Sequence, residues 1–287
     1  MTQATNSLGE ADSWAHVERL VQGSKSSFYW AMRLLPVAKR RAMFAVYAYC
    51  RELDDIADEP APETEKQQGL AAWRREVNAV YDNAPTTSLG RTLNDVRQDF
   101  PIQRDDLLAV IDGVATDANG PVVRPSLAEL ELYCDRVAGA VGLLSVAIFG
   151  ATGHAGEMLA RSLGRALQFT NILRDLREDA ADGRVYLPDE WLRDAGIEAL
   201  SPETIMNDPA LGDVCRTMAA AADGYFKQAD DALAACDRRA VRPAVVMMVS
   251  YRRLLRKMER RGWPQTGDKA RLSAAEKLAI GVYHGLL

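Results

Sequence analysis

The sequence predicts an all-α protein, and three observations carry that expectation. Apolar residues recur at three- and four-residue spacing along nearly the whole chain. Alternating β-branched runs that would compete with helices are few. Helix breakers fall between the periodic segments rather than inside them. With 287 residues, 48% of them hydrophobic and 26% charged, the chain can bury a sizeable core. No repeat, low-complexity tract or long linker divides it, so one helical domain is expected over 1–287, with 1–15 polar enough to stay disordered.

The first helix is expected over 37–58, opening after Pro36 and stopping before Pro60 and Pro62. A second, over 64–83, ends before Pro85. A third, over 104–118, follows Pro101 and stops at Gly120-Pro121. Ser126 with Glu129 reads as a capping box that opens one long helix over 126–151. The next, over 155–180, runs to Gly183. Pro188, Pro202 and Pro209 then punctuate the approach to 210–236. The pattern continues over 241–261, halts at Gly262-Trp263-Pro264, and closes with 271–285.

Composition excludes several function classes. A net charge of −5 argues against a nucleic-acid partner. The cysteines, Cys50, Cys134, Cys215 and Cys236, fall singly on apolar helical stretches and read as core residues in a reducing compartment. Three histidines, His16, His154 and His284, are too few for a His-rich zinc or di-iron site, so any metal must rest on oxygen ligands. No secretory leader is expected, because the first ten residues are polar. The longest apolar run, 141–151, is too short to cross a bilayer. A cytoplasmic protein is expected, touching a membrane at most from its inner face.

Chemistry concentrates in two acidic clusters, Asp54-Asp55-Ile56-Ala57-Asp58 and Asp175-Leu176-Arg177-Glu178-Asp179. Each sets two aspartates at i and i+4, one turn apart on one helix face. Like charges so placed repel, and burial aggravates the cost unless a cation resolves it. Tyr47, Arg51, Asp54 and Asp58 follow one stripe of the first helix. Asn171, Asp175 and Asp179 form one row on the second, with Gln168 beside it. The plain alternative for the first cluster is a solvated helix end, but acidic residues suit a helix C-terminus poorly. Hard oxygen ligands in facing rows suit Mg2+, which binds through one or two carboxylates plus phosphate oxygens. Such ions would stabilise charge on a departing diphosphate.

Tyr47-x-x-x-Arg51-x-x-Asp54-Asp55-x-x-Asp58, Gln168-x-x-Asn171-Ile172-Leu173-Arg174-Asp175-x-x-x-Asp179 and Arg184-Val185-Tyr186-Leu187-Pro188 together resemble the squalene/phytoene synthase family. Ser24-Lys25-Ser26-Ser27-Phe28 with Leu34-Leu35-Pro36, and Tyr133-Cys134-x-x-Val137-Ala138-Gly139-x-Val141-Gly142, extend the likeness from about residue 20 to about residue 260. The resemblance implies a single-domain class I isoprenoid-synthase bundle around a central apolar cavity, in which two prenyl diphosphates condense head to head. It implies Mg2+ on Asp54, Asp58, Asn171, Asp175 and Asp179. It implies diphosphate binding by Ser24, Lys25, Ser27, Tyr47, Arg51, Gln168, Arg174 and Tyr251, with Tyr47, Arg51 and Tyr133 taking part in catalysis. The stretches 24–36 and 50–58 look most like the bacterial branch of hopanoid pathways, which makes presqualene diphosphate from two farnesyl diphosphates, needs no NADPH, and hands its product to downstream isoprenoid-pathway enzymes.

Alternatives stay open beside that reading. Ser24 and Ser27 also suit a turn or cap, and Tyr133 also suits a core position with a satisfied hydroxyl. Arg184 to Pro188 reads as a loop able to fold over the site. Arg252, Arg253, Arg256, Lys257, Arg260 and Arg261 read as a solvated face, or else as a contact to a membrane surface. A phytoene-type synthase using C20 substrates and a full NADPH-dependent squalene synthase are the nearest competing functions. A terpene cyclase and a non-enzymatic metal-storage bundle fit the motifs worse.

Overall fold

The computed structural model describes Trp14, Val17, Met32, Arg33, 35–264 and 268–285. Ser24, Lys25, Ser27, Phe28 and most of 1–15 lie outside the described residues. The described residues form twelve α-helices. They are α1 (Val37–Asp58), α2 (Glu63–Tyr81), α3 (Ser88–Asp99), α4 (Arg104–Ala118), α5 (Leu127–Cys134), α6 (Ala140–Phe149), α7 (His154–Ala181), α8 (Asp189–Asp194), α9 (Pro202–Met206), α10 (Leu211–Ala234), α11 (Arg242–Arg261) and α12 (Ala274–Gly285). The β-structure among them is a single parallel bridge, Val123 to Val185.

Most helices sit where periodicity puts them, and two differences have physical causes. The helix α3 was not expected between Pro85 and Pro101. Its apolar face is only Leu89, Leu93 and Val96, a thin i, i+4, i+7 stripe on an otherwise polar segment. It is capped by Thr87, whose side chain accepts from the Gly90 amide. The long helix expected over 126–151 opens with the capping box at Ser126 and Glu129. A π-helical turn at Asp135–Gly139 then splits it into α5 and α6. As one helical run, Leu127–Phe149 is long and apolar enough to cross a membrane. Counting only 141–151 misses this. In the structure the run packs against α4 and α7.

The core has two parts. One gathers α1 to α4 with α6, around Tyr49, Leu53, Leu93, Leu107, Ile111 and Leu144. Tyr49 donates to the Leu107 carbonyl at 2.8 Å and meets Trp73 edge-on. The other gathers α5 and α7 to α11, around Phe169, Leu173, Met218, Phe226 and Leu255. The two parts meet where α6 lies on α7, and glycines set that distance. A Cβ on Gly142 would stand 2.7 Å from the Ala160 carbonyl oxygen, and one on Gly164 would stand 2.7 Å from the Gly139 nitrogen. Close approach of a neighbouring helix is thus one reason for the glycines of this stretch.

The Arg184–Pro188 segment is pinned rather than free to swing. The Val185 amide donates to the Val122 carbonyl at 2.7 Å, and the Arg124 amide donates to the Val185 carbonyl at 3.0 Å. Arg124, at a positive φ of 54°, holds Asp189 at 2.7 Å and the Ile197 carbonyl at 2.9 Å. Val185 and Leu187 are fully buried. The basic stretch on α11 is largely spent on helix-to-helix ties. Arg252 pairs with Asp230, Arg256 with Asp223, and Arg253 with Glu276.

The seam gives a stability prediction. Ordinarily Gly→Ala within a helix gains up to about 1 kcal/mol. At Gly164 the obstacle is backbone that cannot rotate away, so Gly164→Ala is expected to lower unfolding free energy by about 1–2 kcal/mol net, read as a reduced urea midpoint at unchanged slope.

Candidate active site

A cavity of about 900 Å3, its open mouth included, lies at the seam between the two cores. Met43, Val141, Phe149, Leu163, Leu167 and Met247 contribute to its walls, and its polar lining is Ser145, Gln168, Asn171 and Tyr251. Gln168 and Asn171 continue along α7 toward Asp175 and Asp179. One helix face therefore leads from apolar cavity to acidic cluster.

Three helices end together at the acidic cluster. Asp58 is the last residue of α1, Asp117 lies one residue from the end of α4, and Asp179 two from the end of α7. Each brings the negative end of its macrodipole as well as a carboxylate. Arg184 links them: it reaches within 3.9 Å of Asp58, and its charge acts on both Asp117 and Asp179. Asp117 in turn raises Asp54 and Asp179. The two clusters that sequence set about 120 residues apart thus share one charge network.

The titration of these groups follows from their surroundings. Loss of hydration, then repulsion from Asp58, pushes Asp54 up to about 7 even though the residue as a whole is exposed. Loss of hydration, then repulsion from Asp175, pushes Asp179 up to about 7. Burial also raises Asp117, while hydrogen bonds from Tyr186 at 2.5 Å and Tyr133 at 2.8 Å work against it. The rings of Tyr133 and Tyr186 stack with centroids 5.2 Å apart, so both donors are fixed on one carboxylate. Asp175 differs. Burial would raise it, but a bidentate grip from Arg174 at 2.9 and 2.6 Å, together with Lys269 at 2.9 Å, holds it below the usual carboxylate range. Lys269 also pairs with Glu178.

The remaining expected site residues are placed as follows. Tyr47 and Arg51 lie on α1, where Arg51 pairs with Asp55 at 2.6 Å on an exposed surface. Asp58, at 65% side-chain exposure, is a solvated helix end, so the first pair is not buried as its apolar neighbours suggest. The reason is position: the helix finishes there, and Pro60 turns the chain away. Gln168 accepts from the Asn171 amide at 3.3 Å. Arg174 also hydrogen-bonds Tyr251 of α11. Tyr133 is held by Asp117, which gives it a satisfied hydroxyl as well as a place in the network.

Sequence reasoning missed Asp117 and Lys269. Asp117 carries the same signal that exposed Asp58, an acidic residue in the last turn of a helix, but it has no i+4 partner to draw notice. Lys269 stands on an irregular stretch after α11, where no periodicity points to a partner.

A hard cation fits this donor set. The Asn171 Oδ1 atom is buried and has no hydrogen-bond donor, and Asp54 and Asp179 are carboxylates short of positive charge. Among the described residues no three Asp, Glu, His or Cys side chains converge on one point. An ion held here would therefore take further oxygens from water or from a ligand.

The comparisons with known proteins agree with this geometry. The family model described as squalene/phytoene synthase matches residues 21–276. The chain is 46% identical over 253 residues to a presqualene diphosphate synthase of Zymomonas mobilis, covering 88% of this chain and 86% of that one. It is 42% identical to a namesake of Rhodopseudomonas palustris, covering 91% and 94%. A phytoene synthase of Mycobacterium tuberculosis is 36% identical, covering 83% and 79%. Among solved structures, a dehydrosqualene synthase in complex with a ligand superposes with a TM-score of 0.81 at 26% identity, covering 94% of each chain.

The raised carboxylates set a pH-dependent stability. For Asp179 the folded value of about 7 lies above the ordinary 3.8. The folded state therefore binds the extra proton between those values, and stability falls as pH rises through that window. Asp179→Asn removes the charge. In chelator-treated protein it is expected to match the parent near pH 4 and to be more stable by about 1 kcal/mol or more at pH 8, after allowance for solvent screening. Urea unfolding at both pH values checks this.

Proposed function

The chain belongs to the squalene/phytoene synthase family, and from that premise we propose that it is a prenyltransferase that joins two farnesyl diphosphates head to head into presqualene diphosphate. The observation that carries the reading is the meeting of three acidic helix ends beside an apolar cavity, so that one site offers a polyanion-and-metal pole and a hydrocarbon pole. The higher identity to presqualene diphosphate synthases, 39–46%, than to the phytoene synthases matched at 31–36%, supports C15 over C20 substrates.

In this reading Asp54, Asp58, Asn171, Asp175 and Asp179 hold Mg2+. Bound there, the ion supplies Lewis-acid stabilisation of the departing diphosphate. The chain's own groups do the rest. Arg51 and Arg174 give permanent cations with fork geometry for phosphate oxygens. Tyr47, Gln168 and Tyr251, with Ser24, Lys25 and Ser27, orient the diphosphates. Arg174 and Lys269 hold Asp175 ionised, and the arrival of a diphosphate gives both cations a second partner. Tyr133 and Tyr186 fix the Asp117 carboxylate, whose charge acts on Asp54 and Asp179. Walls of Val141, Leu163, Leu167 and Met247 keep water from quenching that cation. No NADPH is expected in this reaction. The four cysteines are free thiols, which supports a cytoplasmic location, and downstream isoprenoid-pathway enzymes would take the product.

Incubation with Mg2+ and either farnesyl or geranylgeranyl diphosphate, followed by mass analysis, tests the reading. A C30 diphosphate that persists when NADPH is added is expected. Product from the C20 substrate alone, or conversion to squalene, would overturn it. Asp54→Ala and Asp175→Ala are each expected to cut turnover ~100-fold or more with the fold intact by circular dichroism.

A further inference from the structure

The last helix is amphipathic the wrong way round for a helix of a water-soluble core. On its protein side α12 presents Ile280, which packs with Val246 and Met247, and Glu276, which binds Arg253 at 3.0 Å. Its solvent side carries Ala274, Ala275, Leu278, Ala279, Val282 and Tyr283, all exposed. At 3.6 residues per turn these six positions fill an arc of about 180° with no charged side chain in it. Leu278 is 69% exposed and Tyr283 67%, values that for large apolar groups mark a surface with an absent partner. A solvent-facing helix surface ordinarily shows the opposite distribution.

Charge says which partner. Residues 242–285 hold ten Lys and Arg against three Asp and Glu, a net of +7 in a chain of net −5. Two of those cations, Arg253 and Lys257, share the single carboxylate of Glu276 at the base of α12. Arg260, Arg271 and Lys277 have no ion pair among the described residues. An apolar half-cylinder flanked by surplus cations matches the chemistry of an anionic bilayer surface. The acyl boundary takes the apolar face, the headgroups meet Lys and Arg, and a tyrosine sits at the interface. The basic stretch of α11, by contrast, is mostly engaged with Asp223, Asp230 and Glu276.

We propose that the outward face of α12 is a docking surface for anionic phospholipid, through which the protein lies on one leaflet without crossing it. Docking at this face is independent of the reaction and its substrate, so vesicle binding is measured without turnover.

The test is sedimentation of the full chain with vesicles of phosphatidylcholine alone, or of phosphatidylcholine with about 30 mol% phosphatidylglycerol. Binding to the anionic vesicles at least about tenfold tighter than to the neutral ones is expected, weakening with added salt. Leu278→Asp with Val282→Asp should lower that affinity at least about tenfold and leave turnover unchanged. If that variant does not fold, Leu278→Ala with Tyr283→Ala replaces it, expected to weaken binding while keeping the thermal midpoint. Equal affinity of variant and parent, or a parent that stays in the supernatant with both vesicles, overturns the proposal. So does a dimer by light scattering that these substitutions dissociate, since the face would then belong to a second copy of the chain.

Discussion

The structure depends on a surplus of negative charge where the C-terminal ends of α1, α4 and α7 come near one another. Asp54, Asp58, Asp117 and Asp179 act on one another, and three helix C-termini add their dipoles, while Arg184 is the cation placed among them. Left alone, such an arrangement opposes folding, because Asp54, Asp117 and Asp179 give up hydration without gaining an equal opposite charge. It persists because the rest of the fold over-determines it. The ends of α1, α4 and α7 are set by packing in two large apolar cores, and the Arg184 segment is bridged to Val123 and closed down by Arg124. Stability gained in the cores is what keeps the site in a form hungry for cations.

The middle and the two ends of the α7 row use opposite solutions to the same problem. Asp175 is satisfied within the protein, by Arg174 and Lys269. Asp179 and the Asn171 oxygen are left wanting. Both kinds of group are needed if a metal is to arrive with a polyanion. Under the proposed reading the unsatisfied oxygens would attract the ion, and the cations paired with Asp175 would turn to the phosphate. Binding would then exchange one set of charge pairs for another instead of creating pairs from solvated ions, which would keep the desolvation cost low. The close α6–α7 seam, set by Gly142 and Gly164, forms part of the wall of the cavity that this row leads into.

Much of this was legible in the sequence, and the exceptions share a cause. Helices with a broad apolar face, such as α1 and α7, announced themselves by periodicity, and so did the i, i+4 aspartates they carry. The helix α3 did not, because three apolar residues on a polar segment give a stripe too thin to separate from a loop. The π turn did not, because it interrupts neither the helical run nor its apolar pattern; Gly113 and Gly164 of other helices approach it closely. Asp117 and Lys269 were hidden because their partners are distant in the chain: Tyr186 lies 69 residues from Asp117. Local pattern shows which residues share a face. Only the tertiary fold shows which faces meet.

The charge asymmetry of the whole molecule follows from the same division of labour. Carboxylates are gathered where α1, α4 and α7 end, and cations are gathered on α11 and the segment after it. Lys269 is where the two regions touch, since it reaches back from the basic segment to Asp175 and Glu178 of the acidic helix. The stretch that leads into α12 is thereby tied to the Asn171–Asp179 row by an ion pair that, in the proposed reading, a bound diphosphate would compete for. Loss of that pair would not free α12, which keeps Ile280 in its apolar contact and Glu276 on Arg253 and Lys257. The contacts thus separate the two ends of the basic segment: one end pairs with Asp175 and Glu178 of the acidic helix, while the other holds an apolar helix face out to its surroundings.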